Sequence, residues 1–147
     1  MNDILASHMP RPRVGLLLTG HEYYWDQFPR LQQMGLQMAN ALKGILGQFG
    51  EIIASELVDT VEKSQRAGRL FCEAGIDLLM IFPLGYTTSM MIVPAVGMVN
   101  VPVRFLNAHE DRSYDYASAD TTMYLHHEGV CCIPEYACAS SAPLRPT

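Results

Sequence analysis

No stretch of this 147-residue chain approaches the roughly 18–20 consecutive apolar residues of a membrane-spanning helix, so no membrane partner is expected. Basic charge is also scarce. Ten Lys and Arg stand against fifteen Asp and Glu, a net charge of −5. That is the wrong field for a nucleic-acid partner, whose phosphates require a basic surface. Cysteine is sparse and irregular: Cys72, Cys131, Cys132 and Cys138 lack the spacing of a disulfide framework, and a bond between the adjacent pair would be strained. The chain does not start with a charged–apolar–small secretory pattern, and the expected compartment is cytoplasmic. Nucleotide-binding signatures are missing as well. There is no Gly-Lys-Ser/Thr phosphate loop, and Thr19-Gly20 closes the first apolar run without the Gly-x-Gly-x-x-Gly turn that a pyrophosphate needs. Nothing in the spacing forces a Ser-His-Asp arrangement.

What is present suits one globular domain, with 49% apolar and 17% charged residues. Val14–Leu18 reads as a buried strand. From Phe28 to Phe49, Leu31, Met34, Met38, Leu42, Ile45 and Phe49 recur at helical steps, with Asp26 as the expected cap and Gly50 as the stop. Ile52–Leu57 follows as a strand. A second helix is capped by Asp59 or Thr60, carries the stripe Ala67, Leu70, Phe71 and Ala74, and ends at Gly75. Ile76–Phe82 is the most apolar run and the expected central strand. A short helix around Pro94, a strand at Val101–Leu106, a polar loop at Asn107–Asp120 and a last helix starting at Pro134 complete the series. Cys72 and Cys138 fall on helical stripes as expected core residues. This alternation predicts an α/β fold: a three-layer Rossmann-like or flavodoxin-like domain with a parallel sheet of at least four strands. The domain is expected to span residues 14–139. Residues 1–13, with the tag-like Ser7-His8-Met9, and the tail 140–147 are expected to be disordered.

Parallel strands deliver their following loops to one sheet edge, where open α/β sheets bind ligands. The first loop brings His21, Glu22, Tyr23, Trp25 and Gln27. The third brings Gly85, Tyr86, Thr87, Thr88 and Ser89, and the fourth brings Asn107, His109, Glu110 and Asp111. Rings for C–H faces, with amides, hydroxyls and carboxylates for hydroxyl groups, suit a polyhydroxylated small molecule. His126-His127-Glu128 beside Cys131-Cys132 lacks the spacing of a structural zinc site.

Several short motifs carry a resemblance: Tyr-Trp-Asp-Gln-Phe-Pro at 24–29, Leu57-Val-Asp-Thr60, Ala74-Gly-Ile-Asp-Leu78, Val101-Pro-Val103 before Leu106-Asn107, and Ile133-Pro-Glu-Tyr-Ala-Cys138. In this order and spacing the chain resembles the amino-terminal domain of L-arabinose isomerase-like proteins, within the wider L-fucose/L-arabinose isomerase group. The resemblance implies a pentose or 6-deoxyhexose substrate and a manganese-dependent aldose–ketose isomerisation through an enediol. It also implies a full-length homo-oligomer. The family's metal-binding residues belong to later domains, so it implies no catalytic residue and no metal ligand in this chain, which is expected to be an inactive fragment. His21, Tyr23, Tyr86 and His127 match the family's sugar contacts by position, and Gln27 joins them as a candidate from the first loop. His21 stands where the family often has Gln, a departure that bears on the choice of sugar. A free-standing sugar or small-molecule binding module and an oligomerisation domain are the alternatives.

Overall fold

The computed structural model describes residues 10–141. Four strands, β1 (Arg13–Thr19), β2 (Glu51–Val58), β3 (Leu78–Pro83) and β4 (Val103–Phe105), form one sheet in the order β2-β1-β3-β4. All three pairings are parallel. This is the flavodoxin-like order, because β3 lies against β1 on the side away from β2, and the sense of strand addition reverses there. Alternation along the strands builds two cores. Leu16 and Leu18 join Phe82 and Leu84 on one face, while Leu17 joins Leu79 and Ile81 on the other. Within the β1–β2 ladder the register slips between Leu16 and Leu18. The Ser55 hydroxyl there accepts the Leu18 N–H at 3.1 Å, in place of a ladder carbonyl.

Helix α1 (Pro29–Leu46) covers the first face through Met38 and Ala39. Helices α2 (Val61–Ala74) and α3 (Val93–Met98) cover the second through Ala67, Phe71 and Ala95. Thr60 caps α2 by accepting the Lys63 N–H at 3.3 Å, and Gly75 ends it in the left-handed conformation. Pro94 lies in the first turn of α3, where its missing N–H costs nothing.

Helix α4 (Thr121–His127) packs against α1, whereas α5 (Gly129–Ser141) packs against α3 and β3. The pair therefore passes from one layer to the other across the carboxyl end of β3. This crossing is close. A side chain at Gly85 would come within 2.9 Å of the Leu125 carbonyl oxygen, and one at Gly129 within 3.0 Å of the Pro83 carbonyl oxygen. Tyr136 then reaches back from α5 so that its hydroxyl lies 3.1 Å from Thr19 Oγ1, with both residues fully buried. Thr87 Oγ1, also buried, donates to the Gly20 carbonyl at 2.9 Å. The Thr87 N–H meets Cys132 Sγ at 3.3 Å.

Several expectations from the sequence are corrected. The fold starts before Val14: Arg13 pairs with Glu51, its N–H donates to Asp77 at 2.7 Å, and Pro12 accepts the Glu51 N–H at 2.9 Å. It also runs past 139, since α5 includes Ser140 and Ser141; residues 1–9 and 142–147 lie outside the described residues. Phe28, not Asp26, occupies the α1 cap position, without a side-chain bond. Ile45 and Phe49 are exposed. Leu42 and Leu46 carry the last turns onto the core, so Ile45 falls on the solvent side of the helix, and Phe49 lies beyond its end. Leu70 is also on the exposed side of α2, and Ser64 and Gly68 take its place in the buried stripe. Cys72 and Cys138 are exposed, not core. The last helix begins at Gly129, and Pro134 lies inside it. Pro134 costs the helix interior one N–H bond, and the burial of Cys132 and Tyr136 in the core works against that loss.

The Thr19–Tyr136 pair sets a measurable expectation. Tyr136→Phe keeps the ring but leaves a buried threonine hydroxyl without its partner, and should cost about 1–2 kcal/mol. Urea unfolding of the two proteins would show this as a lower midpoint with an unchanged slope.

Candidate functional site

At the carboxyl edge, the chain leaves β1 and enters a single 3-10 turn, Glu22–Tyr24. Trp25 anchors this turn: its Nε1 donates to Asp59 Oδ2 at 2.9 Å, and Lys63 Nζ holds the other oxygen of Asp59 at 2.5 Å. Asp59 is buried, so the carboxylate is desolvated but doubly paired. The loops after β1 and β2 are thus fixed to each other. The His21 ring lies 5.3 Å from both Tyr23 and Tyr24, and Tyr24 meets Phe28 edge-on at 6.2 Å. Burial pushes the Tyr24 phenol above its ordinary value, with Tyr86 and Cys132 adding to the effect.

This arrangement borders a cavity of about 510 Å³, lined by His21, Glu22 and Tyr23 after β1, Thr60, Val61 and Glu62 after β2, and Thr88, Met90 and Met91 after β3. Its volume falls within the roughly 300–1,000 Å³ range of small-molecule sites. Thr60 Oγ1 already accepts the Lys63 N–H and keeps its own O–H to donate. His21 Nδ1 is buried and makes no hydrogen bond. The wall formed by Met90 and Met91 is held from below, because Glu135 on α5 accepts the Ser89 N–H at 2.7 Å. Bonds from Ser89 keep the Glu135 carboxyl below its usual range.

The five candidates do not converge on one point. His21 and Tyr23 line this cavity. Gln27 instead braces the turn, donating to the Tyr23 carbonyl at 3.0 Å. Tyr86 is half-buried against the core and does not line the cavity. His127 lines a second, smaller cavity of about 220 Å³ with His109, Asp111, Arg112, Ser113 and Tyr114. There His109 Nδ1 and His127 Nδ1 are 3.0 Å apart, and His127 Nε2 is 3.5 Å from Asp111 Oδ2. Thr60, Glu62, Met90 and Met91 were not singled out from the sequence as ligand contacts. Thr60 and Glu62 read there as helix-start residues, and the start of α2 is also the rim of the cavity.

Among the described residues, no three His, Cys, Asp or Glu side chains are placed to hold a metal ion together. They do not form the oxygen-rich cage that manganese prefers. No helix among the described residues is long and apolar enough to cross a membrane. No protein-family model matches the chain, and no curated protein sequence matches it.

His126 is buried beside His127, with neither ring nitrogen hydrogen-bonded. Burial lowers its pKa below the ordinary 6.5, as do His127 and His109, while Glu110 and Asp111 oppose the shift. The folded state thus binds the proton less readily than the unfolded state. Stability is undiminished by this residue above pH 6.5 and falls as the pH drops below that value, until the depressed folded pKa is passed. His126→Leu should flatten the decline between neutral and mildly acidic pH, as read from urea midpoints across that range.

Proposed function

We propose that this chain binds a small polyhydroxylated ligand, a pentose or 6-deoxyhexose, in the cavity bounded by His21, Tyr23, Thr60 and Thr88. In this reading it acts like the amino-terminal domain of an L-arabinose/L-fucose isomerase-like enzyme. It supplies sugar contacts and subunit packing to a manganese-dependent active centre whose ligands lie outside this sequence.

The observation that carries the reading is the composition of the cavity. Three successive loops contribute an imidazole, a phenol, two threonine hydroxyls and two carboxylates, interleaved with Val61, Met90 and Met91. The polar groups can read hydroxyl positions, and the apolar ones can pack on C–H faces. Because Asp59 fixes Trp25 and Glu135 fixes the Ser89 turn, the walls are held before a ligand arrives. The switch point between β1 and β3 is also where open α/β sheets take ligands.

The alternative, a free-standing binding module, would use the same site. Tyr23 is 69% and Met90 62% exposed at the cavity wall, which favours a site completed by another domain or a second copy rather than a self-sufficient binding module.

Calorimetric titration against a panel of pentoses and 6-deoxyhexoses tests the proposal. Saturable binding is expected, with His21→Ala and Tyr23→Ala each weakening it about tenfold, the loss of one good hydrogen bond. A panel with no binder, or variants that bind as well as the parent, would reject the site. Turnover at normal enzymatic rates on adding Mn²⁺ would instead show that the catalytic groups are present in this chain.

A further inference from the structure

We propose that His109 and His127 form a binding site for a late first-row divalent transition ion, which clips the long loop after β4 to helix α4. This goes beyond the expectation that the chain holds no metal of its own, and it is independent of the sugar reading, since it concerns the other cavity.

The pairing of the rings carries the argument. Two Nδ1 atoms face each other at 3.0 Å. Without a cation, one proton must be shared across that gap. With one, two donors at about 2.0–2.1 Å from the ion span this separation when the angle between them is roughly 95°. A right-angled imidazole pair suits the octahedral or tetragonal preference of Ni²⁺ or Cu²⁺ better than tetrahedral zinc.

The surroundings fit a ligand role for His127. Asp111 stands by its outer nitrogen, Nε2, at 3.5 Å. A carboxylate there draws the proton to Nε2 and leaves the Nδ1 lone pair free, the usual support for a metal-bound histidine. Nε2 is buried without a hydrogen bond, so an approach of a few tenths of an ångström by Asp111 would satisfy it. The His127 ring is confined by His126 at 5.3 Å and Tyr114 at 5.4 Å, both edge-on. His109, by contrast, is exposed on a loop with no regular structure, and can close on the ion from solvent. The protein provides two donors, and water keeps the remaining positions, open to the cavity lined by Ser113 and Tyr114. Arg112 on the same wall opposes a cation, while Asp111 supplies negative charge against it.

Nickel is the probe of choice, because the exposed thiols of Cys72, Cys131 and Cys138 would reduce copper(II). Titration of the full chain with Ni²⁺ should give one saturable equivalent and raise the melting temperature by several degrees. His109→Ala, at an exposed position, and His127→Ala should each reduce affinity at least tenfold, with circular dichroism confirming that both remain folded. Asp111→Asn should weaken binding about tenfold through its effect on His127. Mn²⁺, at the weak end of the affinity order, should bind far less tightly than Ni²⁺. Absence of saturable Ni²⁺ binding by the parent would overturn the proposal. So would parental affinity in either folded histidine variant, which would place the ion elsewhere, for instance on Cys131 or Cys138.

Discussion

Tyr136 and Thr19 meet in a space that water does not reach, and the carboxyl edge of the sheet depends on that meeting. The carboxyl end of a parallel strand is a difficult place to bury. Its last carbonyls and side chains lose the ladder and would normally be left to solvent. Here Thr87 serves the Gly20 carbonyl, and Tyr136 serves the Thr19 hydroxyl. Burial drives the Tyr136 phenol far above its ordinary ionisation range, so it stays neutral and remains a dependable partner. With these groups satisfied, α5 can lie against the end of β3 and carry Glu135 up to the Ser89 turn. The same fastening therefore closes the core and positions a wall of the larger cavity.

The crossing of α4 and α5 has a second effect, which is to divide the edge. Loops after β1, β2 and β3 open into one cavity, and the loop after β4 opens with α4 into another. A reading that gathers every loop at one edge into a single pocket overlooks a helix pair laid across it. His21 and His127 consequently belong to different chemical settings: one sits among tyrosines and threonines, the other among histidines and an aspartate.

The architecture was legible because its signals are local. Apolar runs in β1 and β3 alternate toward two cores, Thr60 and Gly75 bracket α2, and the strand–helix rhythm leaves little choice but a parallel sheet. The motifs that suggest a family were legible too, yet much of what they do is structural. Trp25 and Asp59 bond to each other, Asp77 receives the Arg13 N–H, Glu135 holds Ser89, and Tyr136 holds Thr19. Such residues recur wherever a chain must be fastened in this way, and so they inform on the scaffold more than on a substrate. What could not be read was set by long-range contact. The exposure of Ile45 depends on which side of its helix meets the sheet, the roles of Gln27 and Tyr86 on which way two loops turn, and the His109–His127 pair on a meeting across a loop without periodicity.

Thr19 and Tyr136 are separated by 117 positions. At roughly 5–20 residues per second, a ribosome needs on the order of ten seconds to pass from one to the other. During that interval the nascent sheet has its apolar faces and the donors and acceptors of its edge, but not the helix that seals them. The cavity walls acquire their final positions only when the last turns of α5 have emerged. The walls of the larger cavity therefore wait on α5, and until that helix emerges the newly made chain most needs shelter from its neighbours.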